Sequence, residues 1–254
     1  MPAVPIHSRA GHAALEALMC QRALLAFDFD GTLAPIVAHA DDARVPDALA
    51  RRLAVLAAAQ PLAIITGRSV ADVVGRLGFR PWTVVGNHGA EQAGVPLRPA
   101  PALDAVRSLL AGAAPMLTAA GVGLEDKGLS LALHYREAAD PEAARRAIDA
   151  LLQPHQDAGS AVRIFGGKMV VNVAPADAPD KAHAMRRLVE RCGVGAVFFA
   201  GDDANDEPVF SGAPPQWVTL RVGPDGHGTA ARFALPGPED MAALLDEMIR
   251  LGDL

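Results

Sequence analysis

Five short apolar runs, at 23–28, 62–66, 82–85, 196–200 and 217–222, constrain this chain more than any other feature. Between and after them lie stretches at 46–59, 70–77, 180–192 and 239–251 whose apolar residues recur at helical spacing. Runs of Ala, Val, Ile and Leu without polar alternation are strands buried on both faces, which means a parallel sheet held between helices. Alternating strands and helices therefore predict the α/β class, a doubly wound, Rossmann-like sheet. Ligands in such folds sit beyond the carboxyl ends of the strands, and Asp28, Thr66, Gly86 and Asp202 fall at those ends.

The middle of the chain breaks this pattern. Val95-Pro96-Leu97-Arg98-Pro99-Ala100-Pro101 reads as a linker, and Ala174-Pro175-Ala176-Asp177-Ala178-Pro179 as a second one. Between them the spacing predicts a helical stretch at 102–120 broken near Pro115 and strands at 122–127 and 129–136. A helix at 141–157 and strands at 161–165 and 168–174 follow, with Gly166-Gly167 as a hairpin turn. The expected organisation is a catalytic core of 1–95 and 177–254 with an inserted α+β cap at 96–176. Parity puts Leu129, Leu131 and Leu133 on one face of the cap sheet, with Tyr135, and Ser130, His134 and Arg136 on the other. Glu125, Lys127, Lys168 and Asn172 join the polar face. That mixture suits a sugar better than plain solvent.

Composition narrows the function classes. A length of 254 residues, 51% of them hydrophobic, suffices for a sizeable core with an insertion. A net charge of −6 with no block of basic residues argues against nucleic acid. No apolar run approaches the ~18 to 20 residues of a membrane span, and the N-terminus lacks a secretion signal. Cys20 and Cys192 have no C-x-x-C spacing and read as free thiols, so a cytoplasmic protein is expected. The sequence sets no oligomeric state and is compatible with a monomer. Of 23 basic residues only Lys127, Lys168 and Lys181 are lysine, so a retained lysine points to a need for a compact ammonium.

Asp28-Phe29-Asp30-Gly31-Thr32-Leu33 follows the first run. Two carboxylates at i and i+2 on a strand end can divide one reaction: Asp28 attacks phosphorus, and Asp30 protonates the leaving oxygen and later activates water. A carboxylate approaching a phosphate dianion needs a cation between them. Mg2+ suits hard oxygen ligands: Asp28, Asp202 and the backbone carbonyl of Asp30. Asp203 and Asp206 are expected to ligate or to hold metal-bound waters. Thr66 and Gly67, in Thr66-Gly67-Arg68-Ser69, lie where a strand meets a helix and can bind phosphate oxygens. Lys181 begins a helix and can face the transferring phosphoryl group.

These motifs, in this order, resemble those of the haloacid dehalogenase superfamily of aspartate phosphotransferases. The matching motifs are Asp28-Phe29-Asp30-Gly31-Thr32, Thr66, Lys181 and Gly201-Asp202-Asp203. The insertion between the second and third looks like a C2-type cap, and an aspartate at position 30 points to a phosphatase. Nearly the whole chain is similar to the trehalose-6-phosphate phosphatase family. The similar stretches include Ile65-Thr66-Gly67-Arg68, His88-Gly89-Ala90-Glu91, Glu125-Asp126-Lys127-Gly128, His134-Tyr135-Arg136 and Gly167-Lys168-Met169-Val170-Val171. The resemblance implies Mg2+-dependent hydrolysis of trehalose 6-phosphate in trehalose biosynthesis. It implies sugar contacts at Glu125, Lys127, His134, Arg136, Lys168 and Asn172, with Asn87, His88 and Gly89 near the seam and Arg68 as a further substrate contact. Asn172 stands where the family commonly has Glu, Asn205 where Thr is common, and Ala182 where Gly is usual. Asn172 keeps open a phosphatase of sucrose 6-phosphate or of a mannosyl or glucosyl phosphoglycerate. A catalytically silent sugar-phosphate sensor is the reading from outside the enzymes.

Overall fold

The computed structural model describes residues 3–37, 39–157, 159–224 and 228–254. Its chain divides into two compact units, 1–93 with 179–254, and 94–178. The first unit contains β1 (Val4–Pro5), α1 (Arg9–Met19), β2 (Ala23–Phe27), α2 (Asp47–Ala59), β3 (Leu62–Ile65), α3 (Val70–Val74), β4 (Thr83–Gly86) and β5 (Glu91–Gln92). The second contains α4 (Asp104–Gly112), α5 (Ala114–Ala119), β6 (Gly123–Asp126), β7 (Leu131–His134), α6 (Pro141–Leu152), β8 (Val162–Gly167) and β9 (Val170–Pro175). The chain then returns to the first unit with α7 (Lys181–Cys192), β10 (Ala196–Gly201), α8 (Glu207–Ser211), β11 (Val218–Val222), β12 (Phe233–Leu235) and α9 (Met241–Leu251).

The first unit is built on one eight-stranded sheet in the order β1-β12-β11-β10-β2-β3-β4-β5. Every pairing is parallel except β4 with β5. Strand β2 lies at its centre, with Leu25 opposite Phe198 on one side and Leu62 on the other. Burial on both faces follows from the two-residue period. Leu25, Phe27, Ile64 and Phe198 pack with α1, α2 and α9, whereas Leu24, Ala26, Ala63, Ile65, Val197 and Phe199 pack with α7 and α8. Both β2 and β10 are buried throughout, which is why their sequences read as unbroken apolar runs. Three short strands and the helices α1 and α8 were absent from the expected elements. β1, β5 and β12 have two or three residues each, too few to show a period.

The second unit is a four-stranded antiparallel sheet, β6-β7-β9-β8, with one face against α4, α5 and α6. Leu131, Leu133, Tyr135, Val171 and Val173 supply the sheet's part of that core. The helical stretch divides at Ala113, two residues before Pro115.

Several local expectations are corrected here. Gly166 and Gly167 belong to β8, and the hairpin turns at Lys168-Met169, where Met169 takes φ +61°. This register gives β8 and β9 six paired positions while keeping Ile164 opposite Val173 on the core face. Pairing and burial thus outweigh glycine's preference for the turn. Lys168 therefore sits in a turn, not on a strand face. Leu129 lies in the preceding hairpin turn, closed by Lys127 N donating to Ser130 O at 2.9 Å, and Ser130 is buried. Trp82, which its place at the head of a strand would put in the core, is instead 39% exposed just before β4, with the Arg191 guanidinium 4.6 Å from its ring centroid. Trp217 is buried. Asp225, Gly226 and His227, in the stretch Gly223-Pro224-Asp225-Gly226-His227-Gly228 whose composition reads as a loop, lie outside the described residues. Cys20 and Cys192 are free thiols. Among the described residues no helix is long and apolar enough to cross a membrane.

Candidate active site

Strand β2 ends at Phe27, and Asp28 leaves the sheet beside the end of β10, its N–H donating to Ala200 O at 2.9 Å. The Asp28 carboxylate has two partners. Oδ1 accepts from Phe29 N at 2.7 Å, and Oδ2 lies 2.8 Å from Lys181 Nζ. Gly31 then turns the chain at φ +81°, and a Cβ at this position would lie 2.1 Å from Asp202 Oδ2. Only glycine lets the turn lie against the second acidic segment. Thr32 completes the contact, its hydroxyl donating to Asp202 Oδ1 at 3.0 Å.

Lys181 is the first residue of α7, whose N-cap Asp180 accepts from His183 N at 2.7 Å. Gly89 lets the β4–β5 connection approach that cap, since a Cβ there would lie 2.3 Å from Asp180 O. The buried Lys181 ammonium reaches Asp206 Oδ1 at 2.7 Å as well as Asp28. Asp206 Oδ2 accepts from the backbone N–H of Asp202 and of Asp203, each at 3.0 Å. Asp203 turns its own carboxylate to Ala204 N at 2.7 Å. The loop after β10 is thus closed on itself by Asp203 and Asp206, leaving Asp202 against Asp28.

Oxygens of Asp28, Asp202 and Asp206 all lie within 4.8 Å of one another, and all three residues are buried. Burial pushes the Asp28 carboxyl well above the usual carboxylate range. Repulsion from Asp206 and Asp202 adds to this, and the Lys181 charge opposes it. Burial by itself would lower the Lys181 ammonium, but Asp206 and Asp28 outweigh it and hold the group above its ordinary value. Three buried carboxylates against one ammonium leave an excess of negative charge on hard oxygen donors. This donor set fits a divalent cation.

Thr66 follows β3, buried, its N–H donating to Val85 O at 2.9 Å and its hydroxyl accepting from Arg68 N at 3.1 Å. Gly67 passes close to His88, as a Cβ at 67 would lie 2.4 Å from the imidazole. Asn87 and His88 are both left-handed, at φ +49° and +56°. Glu91 braces this strained turn. Its Oε2 accepts from Asn87 Nδ2 at 2.8 Å and from Val70 N, at the start of α3, at 2.9 Å. Asn87, expected to contact substrate, is buried with its amide on Glu91. The Asp30 carboxylate is outside the Asp28–Asp202–Asp206 group and faces Arg68, whose Nε and Nη2 donate to its two oxygens at 2.8 and 2.9 Å.

The second unit gathers its own expected residues. Glu125 Oε2 lies 3.0 Å from His134 Nε2 and 3.6 Å from Lys127 Nζ. Ala132 is the register partner of both Glu125 and Asn172, so these two share a face, and Asn172 is only 3% exposed. Arg136 Nη2 donates to the Lys168 carbonyl at 3.3 Å. Thr32, Glu91 and Asp180 were not among the expected site residues. Thr32 had a signal in its place in the Asp-Gly-Thr turn, and Glu91 in the His88-Gly89-Ala90-Glu91 stretch.

A doubly wound sheet with an aspartate after its central strand, a lysine opening a later helix and an acidic loop after the neighbouring strand defines the haloacid dehalogenase class of α/β proteins. A family model described as trehalose-phosphatase matches residues 26–222. The chain belongs to the trehalose-phosphatase family. The trehalose-phosphate phosphatase of Mycobacterium avium is 32% identical over 98% of this chain and 67% of its own length. An uncharacterised glycosyl hydrolase of Mycobacterium tuberculosis is also 32% identical over 90% of this chain, which spans 18% of that protein. The C-terminal domain of the Candida albicans trehalose-6-phosphate phosphatase superposes with a TM-score of 0.80, covering 100% of this chain and 99% of that one at 23% identity, a likeness of fold. The family implies a divalent metal, in keeping with the buried carboxylates.

Proposed function

We propose that this chain is a Mg2+-dependent phosphatase that hydrolyses trehalose 6-phosphate to trehalose and phosphate. The observation that carries the proposal is the buried Lys181 ammonium bridging Asp28 and Asp206 beside Asp202, at the carboxyl ends of the central strands. Family membership supports the sugar phosphate as substrate. Asp28 and Asp202, with the carbonyl of Asp30, would hold the Mg2+, and Asp206 and Asp203 keep the loop that presents Asp202. The bound ion supplies the charge neutralisation that lets a carboxylate meet a phosphate dianion.

In the first step an Asp28 oxygen attacks phosphorus and the bond to the sugar oxygen breaks, with Asp30 giving that oxygen a proton. In the second step Asp30 takes a proton from water. The water oxygen attacks the phosphoryl group on Asp28, and the Asp28–phosphorus bond breaks. Thr66 and the Gly67 backbone hold phosphate oxygens, and Lys181 faces the charge that moves in both steps. The Glu125, Lys127, His134, Arg136, Lys168 and Asn172 group of the inserted unit is assigned to the sugar hydroxyls.

The test is phosphate release from trehalose 6-phosphate, with and without Mg2+, by native protein and by Asp28→Asn. Native turnover that needs the ion and disappears in the variant supports the assignment. A variant with native turnover removes Asp28 as nucleophile. The asparagine at position 172 favours a second reading, hydrolysis of another phosphorylated disaccharide. Faster turnover of sucrose 6-phosphate in the same assay would establish it.

A further inference from the structure

Arg68 was expected to contact substrate, but its guanidinium is already engaged. Nε and Nη2 form a fork on Asp30, Nη1 donates to Asp72 Oδ2 at 2.8 Å, and Nη2 also donates to Ala40 O at 2.9 Å. The cation lies 5.4 Å from the centroid of the Phe29 ring, within the same acidic turn. Asp72 is braced in its turn by Arg76, whose Nε and Nη2 donate to Oδ1 at 2.9 and 2.6 Å. Drawing Arg68 to a ligand would break four hydrogen bonds at a side chain only 12% exposed.

The Asp30 side chain is 38% exposed. A carboxylate that open, without a partner, would share its time among rotamers. A planar fork on both oxygens selects one carboxylate plane, as a lysine's point charge cannot. The geometry points to Arg68 as a positioning residue for Asp30 in place of a substrate contact. The Ser69-capped start of α3 and the Asp72–Arg76 pair fix Arg68, and Arg68 fixes the carboxylate that must reach the leaving oxygen and then the water. This inference deepens the phosphatase reading and rests on it.

The experiment is a double-mutant cycle on Asp30→Asn and Arg68→Ala, with Arg68→Lys as the conservative variant. It is measured in Mg2+ on trehalose 6-phosphate and on p-nitrophenyl phosphate. Arg68→Ala should lower kcat about a hundredfold, the scale of a small misplacement, and change KM by less than about threefold. Arg68→Lys, with its charge kept and its fork lost, should stay at least about tenfold below native. In the Asp30→Asn background, removing Arg68 should lower kcat by less than about twofold further, because a residue that acts through Asp30 has nothing left to position. A raised KM with native kcat, or losses that multiply in the double variant, would overturn the inference. If Arg68→Ala fails to fold by circular dichroism, the cycle with Arg68→Lys reads the same coupling. Native protein that hydrolyses neither ester removes the phosphatase reading and this role together. Activity with multiplicative losses removes only the role of Arg68.

Discussion

Replacing Lys181 with methionine keeps much of the side-chain length and apolar stem while deleting the charge that Asp28 and Asp206 share. Both contacts are under 3 Å and all three residues are buried. Breaking a buried ion pair from one side costs about 3–5 kcal/mol, because the remaining charge keeps its desolvation penalty. Each kcal/mol moves the melting temperature by about 2–4 °C in a chain of roughly this size. Metal-free Lys181→Met protein in EDTA should therefore melt about 6–20 °C below native protein. Proton uptake by Asp28 limits the loss. Its folded-state pKa is already raised by burial, and losing Lys181 raises it further. The folded state then binds more protons than the unfolded one, so the stability of the variant falls as pH rises above the unfolded carboxylate pKa of about 4 toward the raised folded value. Saturating Mg2+ should raise the melting temperature more in the variant than in native protein, since the buried acidic cluster would then have the ion as its counter-charge without a competing ammonium. The assay is thermal unfolding by circular dichroism at several pH values, with EDTA or Mg2+. A metal-free variant melting within about 2 °C of native would refute the idea that this ammonium holds the acidic cluster together.

Three further substitutions test neighbouring claims. Gly31→Ala should lower stability by about 1–2 kcal/mol through left-handed strain and displace Asp202, so calorimetric titration should show Mg2+ binding weakened or lost. Glu91→Ala leaves Val70 N and the Asn87 amide without this acceptor and should destabilise by about 1–3 kcal/mol in urea unfolding. Burial would raise the Asp72 carboxyl, but Arg68 and Arg76 outweigh it and hold the group below the usual range. Its stabilisation is therefore present above the unfolded carboxylate pKa of about 4 and is lost as pH falls through the lower folded value. Urea titrations should show Asp72→Asn below native at neutral pH, with the gap closing only under strongly acid conditions. A gap that is the same at every pH would count against the pairing.

The core strands were legible because β2, β3 and β10 are covered on both faces, and complete burial leaves unbroken apolar runs. Asp28, Thr66 and Asp202 were legible as strand-end residues for the same reason. What each side chain touches was not. The spacing of Asp28 and Asp30 gave them adjacent roles, yet one faces Lys181 and the other Arg68, a difference set by the φ +81° turn at Gly31 and by the packing of α3. Arg68 looked like a ligand residue because nothing local marks Asp30, 38 positions earlier, as its partner. In the second unit the Gly166-Gly167 pair suggested a turn that pairing and core packing shifted to Lys168-Met169, and Lys168 moved with it. Asn172 had the expected parity, but its 3% exposure depends on neighbouring strands whose register no local pattern sets.

The contact between Thr32 and Asp202 spans 170 positions, and β10 is the neighbour that completes the central strand β2. A ribosome makes β2 and β3 early, then the whole insertion, before β10 emerges. During that interval one border of β2 has no hydrogen-bonding neighbour, and Asp28 has neither Asp202 nor Asp206 beside it. A nascent chain arrested before β10 should therefore be sticky and blind to Mg2+, whatever the insertion has achieved by then.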